Sequence, residues 1–241
     1  MNAAQQFIDE VLDAFSALTS GWGSTPTVLA AVAASVLPVD GAGISLIDDA
    51  LRVPLGASTP EVTVAEQLQV TLGDGPCLDA AAARAPVMLD ASTMASRYPI
   101  YAVQLAAYTP FRSVAAVPLQ DRVGRVFGAL DLYSFGPVPA PDFDPSVAAA
   151  VAAEMSGFLT GEIPGLGGDV DENLEGWLGV DPAVDRIKVW AAVGMNMTEF
   201  DEPDSTALSR LRGYAFAHDL TLDELARRVL DRTVPLSELH S

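Results

Sequence analysis

The segment LGDGPCLDAA, residues 72–81, contains the one cysteine of this chain. Cysteine can act as a nucleophile, as a redox sensor or, when it is buried, as a small apolar residue. Cys77 follows Gly73, Gly75 and Pro76, a combination that predicts a sharp turn leading into a helix. The backbone N–H groups of such a turn can also hold an anion.

The rest of the sequence lacks the partners that catalysis by Cys77 needs. A thiolate nucleophile requires a nearby base, but the only histidines are His218 and His240, close to the C-terminus. A reversible sulfenic acid cycle requires a second thiol, which the chain does not have. Neither metal-ligand spacing nor a glycine motif for phosphate binding is present. We therefore expect no catalytic, metal or cofactor residues, and we expect Cys77 to be a buried helix-start residue or, alternatively, a redox sensor.

Aromatic residues between positions 98 and 112 form a second candidate site. Aromatic rings beside one cation suit a planar or anionic small molecule. The alternative is that these residues are ordinary core aromatics. The predicted pocket residues, with the thiol included, are Cys77, Tyr98, Tyr101, Tyr108, Phe111 and Arg112.

Basic residues are concentrated near the C-terminus of a strongly acidic chain. The 241 residues carry a net charge of −19, from 32 acidic and 13 basic residues. Seven of those 13 basic residues lie in residues 182–241, so an anionic partner is expected to bind there. Trp190 and Tyr214 in the same region could stack on unpaired bases. The alternative is a solvated helix face with ion pairs such as Glu224 with Arg228.

The elements that must position these residues alternate between helices and hairpin-linked strands. Strands are predicted over GAGISLID and LRVPLGAS, joined near Asp49, and over FRSVAAVPLQ and RVFGALDLYSF, joined at residues 121–124. An alanine-rich helix follows, with Asp144 as its cap and Pro145 in its first turn. This mixture predicts an α+β fold, in which helices flank an antiparallel sheet.

Composition divides the chain into four parts. Residues 1–24 predict an N-terminal helix, and residues 25–160 contain the sheet and its helices. Residues 161–181 are rich in glycine and acidic residues, which is typical of a linker. Residues 182–236 show three helical patterns and no strand pattern, so they predict a small three-helix bundle. The N-terminal and alanine-rich helices present faces of small residues, which could pair within one chain or between two.

The sequence predicts neither membrane insertion nor export. No apolar run approaches the ~18 residues that span a bilayer. The first residues lack the pattern of a signal peptide, and one cysteine cannot form an internal disulfide. We expect a reduced, cytoplasmic protein with no membrane partner.

Two segments in the first part of the chain resemble the GAF domain family. LGDGPCLDAAAARAPVMLD, with its Gly-x-Gly-Pro-Cys turn, and FRSVAAVPLQDRVGRVFGALDLYSF are similar to the actinobacterial type of this domain. The resemblance covers roughly residues 25–160. It implies a sensor module with a central antiparallel sheet. It also implies either a pocket for a small molecule over one sheet face or a module that serves only to dimerise.

The last part of the chain, roughly residues 182–236, resembles the ANTAR domain family. WAAVGMNM contains an Ala-x-Gly pattern, and ALSRLRGYAFAHDLTLDELARRVL contains Ala-Leu-x-x-Leu-Arg-x-x-Ala-Phe. The resemblance implies a three-helix module that binds RNA in transcription antiterminators. The RNA-binding residues predicted from it and from the basic pattern are Lys188, Trp190, Gly194, Arg210, Arg212, Tyr214 and Arg228.

Together the two resemblances imply a signal-responsive, RNA-binding regulator of transcription antitermination. We expect a homodimer that binds RNA stem-loops, with a small-molecule ligand in the GAF-like half. The alternative is a ligand-sensing or dimerising adaptor that has lost RNA binding. Val193 stands where many ANTAR domains have a basic residue, and the nearby segment TEFDEPDST is acidic, which favours the adaptor.

Overall fold

The antiparallel sheet that the sequence predicts is present and has five strands. The computed structural model describes residues 2–17, 25–48, 51–160 and 181–240. The strands are β1 Gly41–Asp48, β2 Leu51–Ala57, β3 Val87–Leu89, β4 Ser113–Gln120 and β5 Val126–Ser134. Their order in the sheet is β2-β1-β5-β4-β3, and every neighbouring pair is antiparallel.

Helices of the described N-terminal and central ranges cover both faces of the sheet. They are α1 Ala3–Ala17, α2 Thr25–Val36, α3 Pro60–Leu72, α4 Pro76–Ala83, α5 Ala91–Arg97, α6 Pro99–Tyr108 and α7 Pro145–Leu159. Asp144 caps α7 by accepting a hydrogen bond from the Ser146 N–H at 2.8 Å, with Pro145 at the first position, as predicted. The sequence pattern misses α5, because seven residues are too few to show helical spacing.

One face of the sheet, which we call the apolar face, packs against α1, α2 and α7. Ile44 of β1, Val117 of β4 and Leu130 of β5 point into this core, where they are almost completely buried. Successive residues of a strand point to opposite faces, so their neighbours along each strand point the other way. Leu29 of α2 and Met155 of α7 fill the core from the helical side.

Helices α1 and α7 pair within the chain. The ring of Phe158 meets Phe7 and Phe15 edge-on, with ring centroids 6.1 and 6.2 Å apart. Edge-to-face aromatic pairs are favourable beyond the area that they bury. Of the two pairings that the sequence left open, the structure shows the one within a single chain, and the homodimer stays a prediction.

The opposite face of the sheet, which we call the polar face, lies under α3, α4 and α6. Its apolar part includes Tyr133 of β5 and Leu105 of α6, packed together with Val62 of α3. Cys77 of α4 packs against Ala116 of β4. Unlike the apolar face, this face also buries charged side chains.

The C-terminal part consists of helices, as the sequence predicts. They are α8 Asp181–Phe200, α9 Asp204–Ala217, α10 Leu222–Leu230 and a 3₁₀ helix, Leu236–His240. One apolar cluster joins them, and Val70 of α3 belongs to the same cluster. Thr221 and Glu224 form the predicted capping box at the start of α10. The predicted linker lies outside the described residues, except for Asp181, which begins α8.

The described residues also bear on membranes and metal ions as partners. Among the described helices, none is both long and apolar enough to cross a membrane. Within the same ranges, no three side chains of His, Cys, Asp or Glu group together in a way that could hold a metal ion.

Candidate functional site

Polar side chains on the polar face form a closed group beneath α3, which we call the buried polar cluster. Three strands and one helix contribute to it. Its members are Ser45, Arg52, Glu66, Gln69, Asp131 and Tyr133. Each of them is at most 2 % exposed, so bulk solvent does not reach the cluster.

Arg52 of β2 supplies the positive charge of the buried polar cluster. Its Nη2 atom lies 2.5 Å from Glu66 Oε2 and 2.5 Å from Asp131 Oδ2. Its Nη1 atom donates to the backbone carbonyl of Glu66 at 2.8 Å. Removing charges from water costs several kcal/mol per ion, so such a group is stable only when the charges are paired and hydrogen-bonded.

The two carboxyl groups have further hydrogen-bond donors around them. Glu66 accepts from Tyr133 Oη at 2.6 Å and from Ser45 Oγ at 2.8 Å. Gln69 donates to Asp131 Oδ2 and to Tyr133 Oη, each at 3.0 Å. The side-chain oxygen of Gln69, Oε1, accepts a hydrogen bond from the backbone N–H of Cys77 at 3.4 Å. Gln69 therefore ties the start of α4 to the cluster.

The electrostatics of the cluster favour a proton on Asp131. Burial, followed by the neighbouring Glu66 carboxylate, raises the pKa of Asp131 well above its usual range, while Arg52 opposes the rise. Because each member is at most 2 % exposed, a small molecule cannot reach the cluster unless the elements above it move.

Two glycines make room for the cluster. A Cβ atom at Gly43 would lie 2.6 Å from Glu66 Cδ, and one at Gly75 would lie 2.4 Å from Gln69 Oε1. Gly75 also has a φ of +153°, which L side chains rarely adopt. The turn LGDGPC thus needs glycine for close packing on α3.

Cys77 is fully buried at the start of α4, as expected for a helix-start residue. Burial raises the pKa of its thiol well above the usual range, although Arg52 acts in the opposite direction. The thiolate that a nucleophile requires is therefore strongly disfavoured.

The six predicted pocket residues do not line one cavity together. Tyr101 and Phe111 are each 1 % exposed and pack in the core beneath α6. Tyr98 donates its hydroxyl proton to an aspartate of α4, and Arg112 donates to two backbone carbonyls. Tyr108 is 56 % exposed and lines a groove on the outer side of α3. Tyr98, Tyr101 and Phe111 thus belong to the apolar packing between α6 and the sheet, whereas Tyr108 does not.

Four of the predicted RNA-binding residues lie on α8 and α10. Trp190 is 45 % exposed on α8, and Arg228 is exposed on α10. Lys188 is half-buried. Gly194 faces open space, since a Cβ atom added there would meet nothing within 4 Å.

The other three predicted RNA-binding residues lie on α9 and contact the protein itself. Arg210 forms an ion pair with Glu202, with a distance of 2.7 Å between Nη2 and Oε2. Tyr214 stacks on His218, with ring centroids 3.9 Å apart. The guanidinium of Arg212 lies against the turn after α3, because a Cβ atom at Gly73 would lie 2.4 Å from Arg212 Cζ.

The sequence reasoning did not identify the charged members of the buried polar cluster. Asp131 stands within the apolar strand GALDLYS, and Arg52 stands within LRVPL. Charged residues are almost never fully buried without a partner. The available signal was a single charged residue in each of two otherwise apolar strands. A search for a further charged residue that could pair with them would have led to Glu66.

Comparison with known proteins places most of this structure in one family. A GAF domain family model matches residues 25–157. No curated protein is significantly similar to this chain.

Solved structures similar to this chain include two with comparable coverage. One is the GAF domain of an Acinetobacter phosphoenolpyruvate-protein phosphotransferase, at 18 % identity and a TM-score of 0.45, covering 64 % of this chain and 89 % of that one. Another is the free methionine-R-sulfoxide reductase of Neisseria meningitidis in complex with its substrate. It has 19 % identity and a TM-score of 0.44, covering 65 % of this chain and 89 % of that one.

Proposed function

This chain belongs to the GAF domain family, and we propose that it is a signal-responsive regulator whose C-terminal helices bind structured RNA and oppose transcription termination. In this proposal the GAF domain senses the signal and the C-terminal helices produce the output. The ANTAR-like motifs of the sequence, WAAVGMNM and ALSRLRGYAF, support the choice of RNA as the partner.

An exposed apolar patch on α8 carries the proposal. Trp190 is 45 % exposed and Ile187 is 62 % exposed, whereas Val189 and Val193 on the same helix are completely buried. Exposed apolar patches mark interaction sites. An indole can stack on an unpaired base.

Contacts between the GAF domain and the C-terminal helices supply a route for the signal. Thr71 of α3 accepts a hydrogen bond at its Oγ1 from the Leu222 N–H, at 3.2 Å. Val70 packs in the C-terminal apolar cluster, and Gly73 contacts Arg212. A change in the position of α3 therefore alters the support of α9 and α10.

The test is binding of the full chain to a labelled RNA that contains two adjacent hairpins. We expect binding that weakens steeply as salt rises from about 50 to about 200 mM, because phosphate contacts release counterions. An unstructured RNA of the same length serves as the competitor. Trp190→Ala should weaken binding by about tenfold, the loss of one stacking contact.

Ile100→Ala is the matched control for Trp190→Ala. Ile100 is 54 % exposed on α6 and is not part of the C-terminal helices, so its replacement should leave RNA binding unchanged. Equal binding to the structured and unstructured RNAs, or no binding at all, would count against the RNA proposal.

A second candidate, an adaptor that has lost RNA binding, is favoured by the ion pair between Arg210 and Glu202. In this pair, the predicted RNA-binding residue Arg210 is bound to a carboxylate of the same chain. Glu202→Gln discriminates between the two candidates, because it releases the Arg210 guanidinium from its carboxylate. Tighter RNA binding by this variant supports the regulator, and unchanged absence of RNA binding supports the adaptor.

We also propose that the protein is not an enzyme and acts as a cytoplasmic homodimer. The burial of Cys77 and the closure of the buried polar cluster support the first part. Light scattering of the purified chain tests the dimer, for which the expected mass is twice 25.2 kDa.

A further inference from the structure

A groove of about 320 Å³ runs between α3, α6 and the turn from α9 to α10. We call it the interdomain groove. It lies on the side of α3 that faces away from the buried polar cluster, since Val64 and Leu68 line it while Glu66 and Gln69 point to the sheet. Its volume is at the lower end of the range of small-molecule sites.

The walls of the interdomain groove are apolar and aromatic, and they come from both parts of the chain. Val64 and Tyr108 belong to the GAF domain and are 39 % and 56 % exposed. Phe216 and Leu220 belong to the C-terminal helices, and Phe216 is 41 % exposed. Rings and aliphatic side chains that stay accessible in a concave site favour an aromatic occupant.

The charge of the groove lining indicates which aromatic molecules can bind there. Asp219 is the charged residue among the described lining residues, and no lysine or arginine is among them. The chain as a whole carries a net charge of −19. An anion is therefore repelled, whereas a neutral molecule is tolerated and a cation is attracted.

We propose that the interdomain groove binds a neutral or singly cationic aromatic molecule of one or two rings, which joins α3 to the C-terminal helices. The proposal rests on the sensing function proposed above, and it places the ligand between the two parts of the chain rather than over the sheet. A molecule in this position contacts both walls at once, so its binding free energy favours the docked arrangement of the C-terminal helices.

Three probes that share a naphthalene ring test the proposal with the full chain. They are 1-naphthylmethylamine, a cation at neutral pH, 1-naphthalenemethanol, which is neutral, and 1-naphthalenesulfonate, an anion. Backbone amide shifts are recorded during each titration of the ¹⁵N-labelled protein. We expect the cation and the alcohol to shift amides of α3, α6 and the turn from α9 to α10, and the anion to bind at least about tenfold more weakly.

Two exposed valines provide a blocking variant and its matched control. Val64→Arg places a long side chain in the groove and should weaken binding of the cation by at least about tenfold. Val103→Arg introduces the same change at a valine that is 66 % exposed on α6 and is not a lining residue. This control should bind the probe as the parent protein does.

Asp219→Asn tests the choice of charge without altering the fold. Asp219 has a φ of +54°, a conformation that asparagine also adopts readily. The variant should weaken binding of the cationic probe and leave binding of the alcohol unchanged. Equal effects of the two arginine variants, shifts confined to the sheet, or no shift with any probe would overturn the proposal. Because no RNA is present, these outcomes are independent of the RNA-binding test.

Discussion

Leu130 and Asp131 are neighbours on β5, but they lie in opposite environments. Leu130 points into the apolar face under α1, α2 and α7, and Asp131 points into the buried polar cluster under α3. Both side chains are completely buried. The same strand therefore supports a core held by shape and a core held by paired charges.

The difference lies in what each face requires of its residues. The apolar face requires volume, since its members make many weak, non-directional contacts. The polar face requires partners, because each buried donor or acceptor must be paired to offset the cost of leaving water. A change on the apolar face should therefore be local in its effect, and a change in the cluster should affect every member.

The largest effect is expected from Arg52→Met, which removes the one cation of the cluster and keeps a similar volume. It leaves the carboxyl groups of Glu66 and Asp131 without the guanidinium that pairs with them, so the free energy of unfolding should fall by about 3–5 kcal/mol. Urea unfolding at neutral pH measures the change.

Leu132→Ala is the comparison variant on the apolar face, with an expected loss of about 2–5 kcal/mol. The two faces should differ in rescue. Adding Glu66→Gln to Arg52→Met should recover part of the lost stability, because the amide of glutamine can be buried without a counter-charge. In the Leu132→Ala variant, adding Glu66→Gln should recover none of the lost free energy of unfolding. Failure of the rescue would show that the loss in Arg52→Met does not come from a buried carboxyl group left without its partner.

A second prediction concerns pH. The pKa of Asp131 is raised in the folded chain, so the native state keeps a proton that the unfolded chain loses above the ordinary carboxyl range. Stability should therefore fall as pH rises from about 4 through the raised pKa, by at most about 1.4 kcal/mol per pH unit.

Asp131→Asn should remove this dependence, because the amide cannot ionise. Denaturant unfolding between about pH 5 and about pH 8 would show a smaller loss for Asp131→Asn than for the parent chain. Asp142→Asn, at an exposed position, should follow the parent curve. Parallel curves for all three proteins would contradict the assignment of the proton to Asp131.

A smaller effect is expected at the turn that connects the polar face to the C-terminal helices. Gly73 has a φ of +66° and Gly124 a φ of +78°, so alanine at either position costs about 1 kcal/mol of backbone strain. The two glycines differ in their surroundings. A Cβ atom at Gly73 meets the Arg212 guanidinium, whereas the nearest atom to one at Gly124 is Arg84 Nη2, at 3.8 Å.

Gly73→Ala should therefore also loosen the C-terminal helices, since the Arg212 side chain must move away. Hydrogen exchange in α9 and α10 should be faster in Gly73→Ala than in Gly124→Ala. Similar exchange in the two variants would mean that the contact with Arg212 does not hold the C-terminal helices in place.

The smallest effect is a chemical one, at Cys77. If the polar face is as closed as the apolar face, the Cys77 thiol should not react with 5,5′-dithiobis(2-nitrobenzoate) in the folded protein. Reaction should become complete in urea. A chain with Cys77→Ala and Ser92→Cys, at an exposed position, should react at once. Rapid labelling of the parent protein would show that the polar face opens.

Much of the fold could be predicted from local sequence signals. The alternation in GAGISLID and LRVPLGAS predicts β1 and β2, and the Asp144–Pro145 pair marks the start of α7. These features depend on neighbouring residues, so they are visible without knowledge of the tertiary structure. The short helix α5 offered no such pattern, and only its capping residue, Asp90, marks it.

The candidate site was harder to predict because its parts are distant in sequence. Arg52, Glu66 and Asp131 meet only after β2, α3 and β5 pack together. The aromatic residues near position 100 predicted a ligand pocket. Residues of the same type also fill an ordinary core, as Tyr101 and Phe111 do. Residue type alone does not distinguish a lining aromatic from a packed one.

Three consecutive residues of α3 each serve a different part of the molecule. Gln69 belongs to the buried polar cluster, Val70 to the C-terminal apolar cluster, and Thr71 accepts the N–H of Leu222. Successive residues of an α-helix point about 100° apart, which is why one helix can serve all three. The insertion or deletion of a single residue earlier in α3 would rotate all three side chains away from their partners together. Length changes in this helix should thus be rejected in evolution even where single replacements are accepted.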